Sequence, residues 1–304
     1  MQKYYSNGKL LLTGEYVVLD GALSLAVPTK QGQSLHIEHI DEPKIIWKSL
    51  DELGTIWFED TFLIEQITSG FSNLDNDISE RVIQILNAAK TLNPDFLNTN
   101  TGFKITTSLT FPKNWGLGTS STLINNVAQW ANVNAFELLN LTFGGSGYDI
   151  ACAQNNGPIT YQLQKERIAI KQVDFNPIFK EHLYFVYLNK KQNSRDGIVT
   201  YNANKSNLES VISEINDITT KIISCKTIET FDSLIKQHES FISKIIKQDT
   251  VKELLFKDFN GSIKSLGAWG GDFVLVTARE NPKNYFKNKG FNTVVDYDDM
   301  VFKF

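Results

Sequence analysis

Two glycines and three hydroxyl-bearing residues crowd the stretch PKNWGLGTSS, residues 112–121, just before an apolar run of helical period. The first turn of a helix leaves backbone N–H groups without intrahelical partners, and together with the helix dipole these form an anion site. Gly116 and Gly118 lack a Cβ, so a phosphate can approach the main chain, while Thr119, Ser120 and Ser121 offer hydroxyls to phosphate oxygens or to Mg²⁺. The stretch reads as a phosphate cradle. A tight turn closed by a Ser/Thr N-cap has the same composition. Neither GxxxxGK[ST] nor a complete GxGxxG is present, Ser121 standing at the third glycine of the latter, which weakens P-loop and dinucleotide readings. A second segment, GAWGGD at 267–272, presents Gly267, Gly270 and Gly271 either as another close approach of backbone to ligand or as a hairpin turn.

The elements that position these segments follow from periodicity. Phe103, Ile105, Thr107 and Leu109 alternate as a strand leading into the cradle, and Leu123, Ile124, Val127, Ala128 and Ala131 then take up helical spacing. Residues 1 to about 60 read as strand-rich, with Leu10–Leu12, Glu15–Leu19, the Leu35/Ile37 alternation, and a hairpin from Lys44–Trp47 through Asp51–Gly54 to Thr55–Phe58. Ile78, Val82, Ile85, Leu86 and Ala89 predict a helix that starts near Asp77 and Glu80 and stops before Pro94. Short strands follow near 159–163, 168–173 and 183–188. Two long amphipathic helices occupy 208–246, and Phe273–Thr277 reads as the last strand. There is no internal repeat, and the domain boundary is soft, near residues 175–185. Two closely packed α+β domains are expected.

Composition narrows the function. The chain has 304 residues, 41% hydrophobic and 12% aromatic, enough for sizeable cores and against disorder or a fibre. A net charge of -4 with no basic run beyond Lys190–Lys191 argues against nucleic acid. No signal-peptide pattern and no apolar run of membrane-spanning length appear, so no membrane partner and a cytoplasmic protein are expected. Cys152 and Cys225 read as buried free thiols, and the four histidines form no metal-ligand spacing. A small-molecule partner is the better expectation.

Three segments together carry a resemblance. NGKLLLTGEYVVLDGALSLAV (7–27), PKNWGLGTSS and SIKSLGAWGGDFVLV (262–276), with GGSGYDIA (144–151) between the second and third, resemble in order and spacing the motifs of the GHMP kinase superfamily, which includes galactokinase, homoserine kinase, mevalonate kinase and phosphomevalonate kinase. The resemblance spans nearly the whole chain. It implies a two-domain α+β fold, a ribosomal-S5-like N-terminal domain at 1–178 that binds ATP and a ferredoxin-like C-terminal domain at 179–304, with ATP and acceptor in the cleft between them. It also implies transfer of the γ-phosphoryl of Mg-ATP to a small alcohol or phosphomonoester. The family includes monomers and dimers, and both states stay open.

The resemblance also distributes roles. Lys9 and Asp149 match a catalytic pair, the carboxylate accepting the acceptor's proton and the lysine holding it ionised and offsetting charge on the transferring group. Gly116, Leu117, Gly118, Thr119, Ser120 and Ser121 match the nucleotide loop, with Ser120 on Mg²⁺ or the β/γ-phosphates. Glu15, Ser146, Gly147, Gly267, Gly270 and Gly271 match substrate-contacting positions, as do Ser194 and Arg195 in NKKQNSRDGIV, although a polar loop explains that run equally. Glu137, twelve residues before Asp149, is the candidate for a second metal carboxylate, the bland reading being a surface helix glutamate. Without the motifs, Asp149 reads as a helix cap and Lys9 as a solvated surface charge.

Three positions depart from the pattern: Asn7 replaces the usual proline, and Trp115 and Trp269 stand where small residues are normal. They imply a reshaped pocket or a member that binds without catalysing. GEY and GSGYD point to the mevalonate branch, with phosphomevalonate or mevalonate as acceptor. Lys104, Lys113, Lys190, Lys191 and Arg195 are the cations available for a phosphorylated acceptor. A diphosphomevalonate decarboxylase shares the fold, but its motif texture is absent.

Overall fold

The structure is a computed structural model describing residues 1–70, 76–165, 167–192 and 194–302; the side chains of Ser194 and Arg195 lie outside that description. The chain packs as two compact units. One comprises residues 1–8, 31–113 and 117–154, the other 9–30, 114–116 and 155–304.

The first unit is built around strands β2 (Ser24–Ile40), β3 (Lys44–Leu50), β4 (Ile56–Leu63) and β5 (Gly102–Leu109), in the order β4-β3-β5-β2, with β1 (Gln2–Leu11) pairing with β2. β3 and β5 run parallel, and the other two pairings in that order are antiparallel. Strict alternation along β3 turns Ile45, Trp47 and Ser49 inward, while Asp51 Oδ1 accepts the amides of Leu53 and Thr55 at 3.0 and 2.8 Å and so closes the β3–β4 hairpin. Helices α1 (Ile64–Ser69), α2 (Asp77–Leu92), α3 (Thr119–Ala131), α4 (Ala135–Thr142) and α5 (Tyr148–Ala153) complete this unit. α2 is capped by Asn76, whose side chain accepts from the amides of Ile78 and Ser79. Its inner face, Val82, Ile83, Ile85, Leu86 and Ala89, joins Ile124, Val127 and Ala128 of α3 in one core with Leu35, Ile45, Trp47 and Ile105.

In the second unit the first residues of β2 pair with β6 (Ile159–Leu163), and β6 pairs with β7 (Ile168–Gln172), both antiparallel. A separate four-stranded antiparallel sheet has the order β11-β8-β10-β9, formed by β8 (Leu183–Tyr187), β9 (Ile263–Ser265), β10 (Phe273–Thr277) and β11 (Val294–Asp296). Helices α6 (Ser194–Asn204), α7 (Leu208–Ser224), α8 (Ile228–Ile246), α9 (Val251–Leu255), α10 (Lys283–Asn288) and α11 (Tyr297–Met300) complete it. Among the described residues no helix is long and apolar enough to cross a membrane.

Three expectations are corrected. Glu15–Leu19 is not a strand: Val17–Asp20 forms a 3₁₀ turn, because Gly14, Tyr16 and Gly21 all take positive φ, which no pleated strand accommodates. Phe273–Thr277 is not the last strand, since β11 follows; three residues are too few for a period to register. Cys152 is a buried free thiol, whereas Cys225 is only half-buried and donates to the Thr227 carbonyl.

Candidate active site

The glycine cluster opens α3, and the N-cap of that helix is Gly118 itself, in the left-handed region at φ 95°. No side chain caps the first turn. The Ser/Thr-capped turn is therefore excluded, and the first amides of a 13-residue helix keep their donor capacity. Leu117 is wholly buried and anchors the loop; Ser121 Oγ turns back to the Gly118 carbonyl at 2.9 Å, and Thr122 Oγ1 donates to Gln33 Oε1 at 2.7 Å. Ser120 is exposed and Thr119 half-buried, so these two, and not the buried Ser121, leave side chains accessible to a ligand. The boundary between the packing units passes through this loop, with 114–116 in the second and 117 onward in the first.

In the GGSGYDIA segment, Gly147 is the N-cap of α5 at φ 87° and Ser146 is buried. Asp149 is half-buried in the first turn and is not the cap. Lys9, on β1, is half-buried and belongs to the second unit, Asp149 to the first. Glu137 is exposed in the first turn of α4. Ser194 and Arg195 open α6. Among the described residues no group of three or more His, Cys, Asp or Glu side chains is placed to hold a metal ion.

The GAWGGD segment joins β9 to β10. Gly267 and Gly270 take φ 68° and 87° with nothing within 4 Å of a built Cβ, so their requirement is conformational, whereas a Cβ on Gly271 would stand 2.7 Å from the Lys190 carbonyl oxygen. Trp269 is 3% exposed, with its bulk inside the unit, and Trp115 packs edge-on against Phe273 at 5.2 Å. Asp272, which no motif singled out, accepts the Gln192 amide on Oδ1 at 3.1 Å. Burial pushes its carboxyl upward, opposed by that amide and by the ammonium groups of Lys9 and Lys191.

Glu15 lies in a buried charge cluster. Its Oε1 receives Lys264 Nζ at 2.5 Å, and its Oε2 lies 3.3 Å from His238 Nε2. Glu239 Oε1 is 3.7 Å from Lys264, and Glu239 Oε2 accepts the Ser265 amide at 3.1 Å. Burial raises the Glu15 carboxyl against the pull of Lys264, raises Glu239 to about 8, and drives His238 well below its ordinary value. His238 Nε2 accepts the Gly14 amide at 2.8 Å, so that nitrogen carries no proton and the approach to Glu15 is no ion pair. In the sequence, His238 and Glu239 read as polar positions of an amphipathic helix and Lys264 falls inside the third motif; no spacing marks them as partners of Glu15.

No family model matches the chain, and no curated protein matches it. Solved structures do. A mevalonate kinase superposes with a TM-score of 0.72 at 19% identity, covering 97% of each chain. The Streptococcus pneumoniae phosphomevalonate kinase bound to phosphomevalonate and AMPPNP superposes at 0.71 and 16%, covering 97% of this chain and 99% of that one. A D-glycero-D-manno-heptose 1-phosphate kinase from Bacteriodes thetaiotaomicron reaches 0.66 and 15%, covering 99% and 95%. These neighbours are GHMP kinases, that is, phosphotransferases. At such identities the likeness shows the fold.

Proposed function

We propose that this chain, which has the fold of the GHMP kinases, is an ATP-dependent kinase that phosphorylates a small molecule of the mevalonate series, phosphomevalonate or mevalonate. The observation that carries the reading is the open N-terminus of α3: a glycine cap in the left-handed region, no capping side chain, and accessible Thr119 and Ser120 side chains. Such a terminus is suited to phosphate oxygens. The kinase reading keeps the family's division at residues 178/179 and places the enzyme in the cytoplasm, where ATP is supplied.

The roles follow the motifs. The amides of Gly118–Ser121 hold the nucleotide phosphates, and Ser120 contributes its hydroxyl. Magnesium fits a donor set poor in protein carboxylates, because Mg²⁺ keeps several waters and is held largely by substrate phosphates. Ser120 and the nucleotide phosphates would hold it, and it would supply positive charge to offset that on the transferring group. Glu137, exposed on α4, is the added carboxylate of this reading. Asp149 accepts the proton of the acceptor oxygen as that oxygen bonds to Pγ; the bond from Pγ to the bridging oxygen breaks, and ADP leaves. Lys9 lies beside the γ-phosphoryl. By the resemblance, Ser146, Gly147, the Gly267–Gly271 segment, Ser194 and Arg195 serve the acceptor, and Glu15, buried as it is, acts by fixing the turn that follows Lys9.

ADP release with Mg-ATP tests this against mevalonate, phosphomevalonate, diphosphomevalonate, homoserine and galactose, with CO₂ followed in parallel. Turnover with one mevalonate-series acceptor and no CO₂ is the expected outcome. CO₂ release would assign the decarboxylase reaction, and bound ATP with no turnover on any acceptor would leave a ligand-binding protein.

A further inference from the structure

Tyr16 has φ 64° and ψ −52°, and the Val17 amide donates to the Glu15 carbonyl at 2.8 Å. This is a γ-turn of the rare, strained hand. Strain of this kind persists only where the surroundings over-determine it, and it concentrates at sites where a geometry is functional.

Around Tyr16 the constraints come from every side. Before it, the Gly14 amide is tied to His238 and Glu15 to Lys264. After it, Ala22 donates back to the Val17 carbonyl at 3.1 Å, closing the 3₁₀ turn. The Tyr16 ring stacks on Tyr201 of α6 with centroids 5.8 Å apart and an interplanar angle of 22°. Tyr201 in turn donates to Asp20 at 2.5 Å, and Lys205 Nζ reaches the same carboxylate at 2.9 Å. A Cβ on Gly197 would stand 2.6 Å from the Tyr16 hydroxyl oxygen, so only glycine lets α6 lie against the phenol. That oxygen accepts the buried Trp269 amide at 3.1 Å.

We infer that Tyr16 is a positioning residue: its strained turn delivers the phenol oxygen to the Trp269 amide and thereby sets the backbone of the Gly267–Gly271 segment. The segment is packed at Ala268 and Trp269 and tied at its ends, where Leu266 donates to the Phe273 carbonyl and Asp272 to the Lys190 carbonyl. Gly267 and Gly270 take positive φ with no neighbour at a built Cβ, so an anchor at the intervening amide decides the path. A buried N–H without its acceptor is costly, which makes the anchor selective for one conformation. The turn thus couples the strand carrying Lys9 to the third glycine segment. What the segment touches rests on the kinase reading above, whereas the anchor does not.

The test is hydrogen exchange at the Trp269 amide, resolved by NMR on the full chain, beside ADP release. Tyr16→Phe keeps the ring stack and removes the acceptor; Gly197→Ala pushes the phenol away and serves if the first variant folds poorly. Each is expected to speed exchange at Trp269 by roughly tenfold, the scale of one lost hydrogen bond, with β8 and β10 amides unchanged. In turnover, kcat should fall or acceptor KM rise by a similar factor, and Gly197→Ala/Tyr16→Phe should be less than additive, since removing the hydroxyl relieves the clash. Unchanged exchange at Trp269 in the folded variants overturns the anchor. Faster exchange with unaltered kcat and KM overturns the positioning role. Faster exchange in a protein whose wild type releases no ADP supports the anchor and sinks the kinase reading alone.

Discussion

The carboxylate of Asp272 lies against the α-carbon of Gly116: a Cβ built on Gly116 would stand 2.3 Å from Cγ and 2.4 Å from Oδ2. Gly116 also takes φ 70°, so backbone conformation and close approach demand glycine together. Two glycine-marked segments more than 150 residues apart thus meet at the Asp272 carboxylate.

Gly116→Ala is expected to destabilise the protein by about 1–3 kcal/mol, the sum of a strained φ and a displaced carboxylate. Asp272→Gly in the same chain removes the carboxylate and suits the φ of 52° found at that position, and should recover much of the loss. Urea unfolding of the single and double variants measures both; an unaltered midpoint for Gly116→Ala would contradict the contact.

At Gly118 a side chain meets a φ of 95° at the helix N-cap. Gly118→Val should weaken ATP binding by tenfold or more, a scale of about 1.4 kcal/mol, while leaving the core of the first unit intact. Calorimetric titration with ATP in the folded variant checks it, and unchanged affinity would remove the cradle assignment.

Asp149→Asn is expected to lower kcat by about 10²–10⁴-fold, the range for a lost general base, with ATP affinity retained because Asp149 lies on α5 and not on α3. Single-turnover phosphoryl transfer separates the two effects. Full activity would move the base elsewhere.

Lys264→Met strands Glu15 in the buried cluster without its cation. Breaking a buried pair on one side typically costs about 3–5 kcal/mol, and Glu15→Gln in the same background should restore part of it. Chemical denaturation of the two variants decides; equal stability of Lys264→Met and wild type would mean that Glu15 is already neutral in the folded protein.

Glu239 gives a pH signature. Burial lifts its carboxyl from 4.5 to about 8, so between these values the folded state binds a proton that the unfolded state has lost, and stability falls as pH rises through the window. Its contribution is fully present below the lower value and flat above the upper. His238, held neutral, acts oppositely, losing stability as pH falls below 6.5. Glu239→Gln should therefore flatten only the decline toward pH 8, read as the difference between wild-type and variant melting profiles; identical slopes would contradict the assignment.

Much of the architecture was legible locally. Alternation along Phe103–Leu109, the apolar stripe of Asp77–Leu92 and the two helices within 208–246 announce themselves because each buries one face at a fixed period. Glu15–Leu19 misled because Val17 and Val18 suit strands, while the positive φ at Tyr16 goes with contacts of its phenol to Trp269, Gly197 and Tyr201, all distant in the sequence.

The sequence by itself determined that a glycine-rich turn opens α3, that a second such turn joins two strands near the end, and that the motif order matches one kinase fold. Those are properties of near neighbours in the chain, where glycine, hydroxyls and periodicity act over a few residues. Tertiary structure alone decided that Asp272 abuts Gly116, that Glu15 shares a buried cluster with Lys264, Glu239 and His238, and that Ser121 turns inward while Ser120 does not. Contacts across such separations leave no spacing in a single sequence, because which charges meet in a low-dielectric interior is settled only when whole elements pack.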